Sequence, residues 1–147
     1  LEQLDSLFIR KEINYTDQLL RARFCIHAGR FAEAMPMLTE AKNIHPYRQD
    51  EITDLEGRLH LLSNQPLLAI PVYKEYLSRH PDQANIMYTL ARLYAKTKNS
   101  SEAWNWLSKA VKSGFDYYWV LKYDDSWNDY RSSPKWTALT GAIKSKE

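Results

Sequence analysis

Three arginines, Arg23, Arg58 and Arg92, stand 35 and 34 residues apart. A guanidinium is a planar fork of N–H donors that can hold a carboxylate with two bonds at once. Three forks at a near-constant interval could hold acidic side chains or a terminal carboxylate. Glu51, Asp54 and Glu56 lie close to Arg58 in sequence and would neutralise part of such a set. Asn85 and Tyr88, shortly before Arg92, carry groups suited to bonding peptide backbone.

Other reactive side chains carry weaker patterns. Asp124, Asp125 and Asp129 sit beside Tyr and Trp, as carboxylates do in sugar-processing clefts. Nothing pairs them with a group that would raise a pKa for acid–base work. A nucleophile elbow, a Walker loop and a dinucleotide loop are missing, so no intrinsic catalysis is expected. His45 and His80 each precede a proline at the same repeat position, which points to bonding with carbonyls at a helix end. His27 and His60 lack Cys, Asp or Glu at metal-ligand spacing, so no metal or cofactor is expected. Cys25 is the single cysteine, which excludes an internal disulfide; its place on a helix face predicts buried packing.

The elements that would position these residues are helices. Met87, Leu90, Ala91 and Tyr94 recur at three- and four-residue spacing on one face. Ala103, Leu107 and Ala110 do the same after a break at 98–100, with Ser100 or Ser101 as N-cap and Gly114 as the stop. The pattern has earlier copies. Ala34, Ala69 and Ala103 lie 35 and 34 residues apart, and Pro46 and Pro81 lie 35 apart. Such periodicity predicts a helical solenoid, in which each helix pair buries its apolar face on its neighbours. The 147 residues lead us to expect one domain. A net charge of +2 is too small to argue for nucleic acid, and no apolar run approaches membrane-spanning length.

These residues resemble the tetratricopeptide repeat (TPR). The family's bulky residue, Leu, small residue, aromatic and second-helix Ala correspond to Met87, Leu90, Ala91, Tyr94 and Ala103. Phe115 stands at the usual closing proline and Lys98 at the usual turn glycine, two departures from the pattern. The resemblance implies an all-α, right-handed superhelix of antiparallel helix pairs. Its units are expected at 15–48, 50–83 and 84–117. Residues 1–14 are expected to be the second helix of a truncated earlier repeat, with Leu4, Leu7 and Phe8 in its late packing positions, or a free N-terminal helix. Helices are expected over 16–28 and 31–43. Pro36 and Pro71 fall inside second helices, early enough to be tolerated, and Pro66 starts one. Glu56 replaces the usual leucine, leaving Leu55 and Leu59 to carry the apolar face.

Residues 118–147 differ from the repeats. The segment from Phe115 to Trp136 holds eight aromatic residues and precedes a short helix near 134–143. It resembles a tail found after many bacterial TPR arrays, carried here by Gly114, Phe115, Leu121, Asp124 or Asp125, Trp127, Arg131, Pro134, Trp136 and Leu139. Trp119, Leu121, Trp127 and Trp136 are expected to pack back on the third unit as a cap. An aromatic ligand patch is the alternative. Disorder is expected only in the last few residues.

In this family the first helix of each repeat lines a concave groove that binds peptides. Repeat phase then makes Leu19, Arg23, His27, Arg58, Leu62, Asn85, Tyr88, Arg92 and Lys96 the candidate partner-binding residues. The two-carboxylate clamp that some members use on chaperone tails is mostly absent, since Leu19, Leu55 and Thr89 replace its polar residues. The expected function is therefore a non-catalytic scaffold that binds a protein or peptide, acidic if the arginines act together, without nucleic acid or direct membrane insertion. The alternatives are a spacer or self-association module, and an accessory domain of an enzyme whose catalytic part lies elsewhere. Cytoplasm and periplasm both remain open.

Overall fold

The computed structural model describes residues 2–144, apart from the side chains of 2, 4, 5, 8, 142 and 144. The expected packing of Leu4 and Phe8 and the expected disorder of the last residues lie outside this description. The described residues are all-α, with no strand. Helix α1 spans Glu2–His27, α2 Phe31–Ile44, α3 Asp50–Leu62 and α4 Pro66–Arg79. Helix α5 spans Ala84–Lys96, α6 Ser100–Lys112, α7 Tyr118–Tyr123 and α8 Pro134–Lys144, with a 3-10 turn at Asp125–Trp127. None is long and apolar enough to cross a membrane.

One turn is used four times. After α1, α3, α5 and α6 a residue takes a left-handed backbone: Gly29, Asn64, Lys98 and Gly114, with φ of 76°, 58°, 63° and 104°. The next N–H then reaches back to a carbonyl five residues earlier, as in Arg30 to Cys25 at 2.7 Å and Asn99 to Tyr94 at 2.9 Å. This closure satisfies carbonyls that a helix end leaves free. Glycine and asparagine suit the position; Lys98 carries its steric cost. The N-cap of α6 is Asn99, whose side chain accepts from the Glu102 N–H, instead of the expected Ser100 or Ser101. Asn99 still has non-helical φ and ψ, as a capping residue requires.

Three expectations are corrected. First, residues 2–14 are not a separate helix: α1 runs unbroken to His27. The stretch Glu12–Thr16 contains no glycine or proline to stop it. Second, Pro36 and Pro71 are each the sixth residue of their helix, beyond the first-turn amides that lack acceptors. Each withholds one bond from a carbonyl four residues back. Third, the chain divides into two compact units, Leu1–Val72 and Tyr73–Glu147. Repeat contacts are local, so a solenoid can divide between neighbours.

In the first unit, α2 contributes Ala34, Leu38 and Ala41, all fully buried. They meet Leu19, Ala22 and Ile26 of α1 and Ile52, Leu55 and Leu59 of α3 in one cluster that also holds Cys25. Leu55 and Leu59 thus carry the apolar face beside Glu56. In the second unit, Leu90, Ala91 and Leu93 of α5 are buried, as are Ala103, Leu107 and Ala110 of α6. Leu121, Trp127 and Trp136 of the C-terminal segment are buried too, whereas Trp119 is 61% exposed. Trp119 is therefore not part of that packing; it shares the short α7 with Leu121, which takes the inward face.

Candidate partner-binding surface

Two clusters fix the faces of the first helices. In the first unit, Tyr15 of α1 is almost fully buried and its hydroxyl donates to the Arg48 carbonyl at 3.0 Å. The Arg48 guanidinium lies 4.4 Å over the Tyr15 ring and meets Glu12 at 2.6 Å. Burial, then the nearby Glu51 carboxylate, pushes the Tyr15 phenol above its ordinary pKa. His45 Nε2 approaches Glu12 at 3.1 Å, off the hydrogen-bond direction, and its ring meets Tyr15 edge-on. His80 lies 4.8 Å from Tyr76, ring to ring. Both rings pack on aromatics, and the backbone N–H groups of His45 and His80 bond the helix-end carbonyls of Ala41 and Tyr76.

In the second unit, the Trp127 indole N–H donates to the Tyr88 hydroxyl at 3.0 Å. That hydroxyl donates onward to Asp124 at 2.6 Å. The Ser126 N–H supplies Asp124 with another bond, at 3.0 Å. Arg92 Nε lies 2.7 Å from the same carboxylate, but off the hydrogen-bond direction, so the contact is one of charge. Burial pulls the Asp124 pKa up, but the bonds from Tyr88 and Ser126, with the Arg92 charge, hold it below the ordinary value. Burial, then bonding to Asp124, drives the Tyr88 pKa up. Phe115 stacks on Tyr88 at 4.3 Å. Arg131 donates to the Leu121 and Asp124 carbonyls, both at 2.7 Å, which fixes the bend that presents Asp124.

The nine candidates separate by burial. Leu19 and Tyr88 are each 6% exposed and belong to the interior, so their expected place on a binding face is corrected. Repeat phase points Leu19 to the groove, yet it joins the cluster between α1, α2 and α3. Tyr88 is covered by Phe115 and Trp127. Within the first unit, Arg23, His27, Arg58 and Leu62 reach the surface. Arg58 meets Asp54 one turn earlier at 3.1 Å, the partial neutralisation expected from its neighbours. Within the second unit, Asn85 and Lys96 are exposed and Arg92 is half-buried against Asp124.

The sequence places the aspartates near residue 124 beside aromatics and in the tail, without a partner. Their distance from Arg92 in sequence hides the pairing. Leu20 and Phe24 of α1 occupy the repeat positions of the buried Leu55 and Leu59, yet are 61% and 65% exposed.

No curated protein matches the chain. The family model for the tetratricopeptide repeat matches residues 60–122, from the last turn of α3 into α7. That stretch is tetratricopeptide repeat, and a helix pair of the same phase, α1 and α2, precedes it.

Proposed function

We propose that this chain is a non-catalytic protein–protein interaction module, as tetratricopeptide repeats generally are, and holds an extended peptide or helix of a partner protein on the outward faces of its first helices. Arg23 and Arg58 orient acidic groups of that partner. One observation carries the reading: Arg92, the third arginine of the same phase, already holds a carboxylate brought from another segment, at 2.7 Å. An arginine at this repeat position points where a carboxylate can reach it. Arg23 and Arg58 stand at that phase on exposed helix faces. His27 and Leu62 flank them in the first unit, at the ends of α1 and α3; in the second unit by itself, Asn85 and Lys96 are exposed on α5.

Fluorescence anisotropy with acidic, neutral and basic peptides of matched length tests this. Acidic peptides should bind best, and added salt should weaken them. Arg23→Glu with Arg58→Glu should lower their affinity by about tenfold or more, a loss of roughly 1.4 kcal/mol. Binding indifferent to peptide charge and to both substitutions would refute the proposal.

A further inference from the structure

The arginines that share one repeat phase differ in what already meets them. Arg58 pairs with Asp54, one turn earlier on its own helix, at 3.1 Å, and the two side chains are 53% and 41% exposed. Water competes for both ends of such a pair, so it contributes little and opens readily. A partner's carboxylate can replace Asp54 there with little loss. Arg92 is met differently. Its carboxylate comes from the C-terminal segment, at 2.7 Å, and the Asp124 side chain is only 10% exposed.

Asp124 is held in place by its surroundings. Its carboxylate accepts from the Tyr88 hydroxyl at 2.6 Å and from the Ser126 N–H at 3.0 Å. Tyr88 is fixed in turn by the indole N–H of the fully buried Trp127. Arg131 donates to the Asp124 carbonyl at 2.7 Å. Moving the carboxylate off Arg92 would leave the buried Tyr88 hydroxyl without its acceptor, a larger loss than a new exposed ion pair returns. Asp124 therefore keeps its position when a partner arrives.

The consequence falls on Arg92. Its Nε is buried beside that carboxylate. A side-on grip on a second carboxylate would need Nε together with a terminal nitrogen, so that edge is taken. The 38% of the side chain that stays exposed belongs to a pair of zero net charge. An incoming carboxylate would be repelled by Asp124 as it is attracted by Arg92.

We propose that Asp124 is a tethered mimic of a partner's carboxylate: it fills the acid-holding position of α5 from within the chain and leaves recognition of acidic groups to Arg23 and Arg58 of the first unit. The inference rests on the peptide reading and makes it selective. A partner stretch lying on α5 is then uncharged opposite Arg92.

Nitrogen-15 NMR of the arginine Nε–H groups of the whole chain, with a hexaglutamate peptide added, tests the proposal. In the parent chain the Arg23 and Arg58 signals should move and the Arg92 signal should stay. Asp124→Asn removes the charge and keeps a carbonyl acceptor. In that variant the Arg92 signal should move too, and affinity for the peptide should rise about threefold. Adding Arg92→Gln should abolish the rise. An Arg92 signal that moves in the parent chain overturns the proposal, and this arm needs no substitution. So does an Arg92 signal that stays still in Asp124→Asn with far-UV circular dichroism unchanged. Still Arg23 and Arg58 signals in the parent, with Arg92 moving only in Asp124→Asn, would refute the peptide reading and uphold the masking of Arg92.

Discussion

Replacing Asp124 by alanine tests the C-terminal network most directly. Its side chain is 10% exposed, and it accepts from the buried Tyr88 hydroxyl at 2.6 Å and from the Ser126 N–H at 3.0 Å. A hydrogen bond to a charged group contributes about 1.5–3 kcal/mol when one partner is lost. Arg92 is more than a third exposed, so its pairing adds only about 0–1 kcal/mol. The loss should total about 3 kcal/mol, because Tyr88 is left buried without its acceptor. For a chain of this size that lowers the melting temperature by roughly 6–12 °C. All five tryptophans lie in the second unit, so their fluorescence reports its unfolding without interference from the first. The pH dependence has a definite sign. The Asp124 pKa is lower folded than unfolded, so its contribution is full above the unfolded carboxylate value, about 4, and fades as the pH falls through the folded one. The alanine variant should therefore lose less stability than the parent on acidification. A variant within about 0.5 kcal/mol of the parent at neutral pH would refute the reasoning, because that is the range of an ordinary surface change.

Two other substitutions address the turn and the first unit. Lys98→Gly should raise stability by about 0.5–1 kcal/mol, the relief of a left-handed lysine less the added freedom of glycine when unfolded. The lost ion pair to Asp129 matters little at 3.5 Å and over 80% exposure of both side chains. Urea titration should show no such gain for Lys98→Ala; an equal gain would mean that backbone strain is not the cause. Tyr15→Phe should cost about 1 kcal/mol through the bond to the Arg48 carbonyl, and hydrogen exchange at the α2–α3 turn should rise. Unchanged exchange there would show that the hydroxyl does not secure that turn.

Local features of this chain were legible in the sequence because they depend on nearby residues. Helix period, the Ala34–Ala69–Ala103 spacing and the Gly114 turn are set within a few positions of each residue. The start of α6 shifted by one residue because Asn99 competes with Ser100 for the same capping role. The continuity of α1 was not read from the repeat template, which expects a break that the Glu12–Thr16 stretch does not make. Repeat phase named a face for each residue, but neighbours decide which faces are covered. Leu19 went inside because α3 and α2 close over it, and Tyr88 because Phe115 and Trp127 do. Leu20 and Phe24 stayed outside although their counterparts on α3 are buried. The sequence by itself determined the helical period and the repeat spacing. The tertiary structure alone brought Asp124 to Arg92, because that contact joins residues 32 positions apart and depends on the bend held by Arg131.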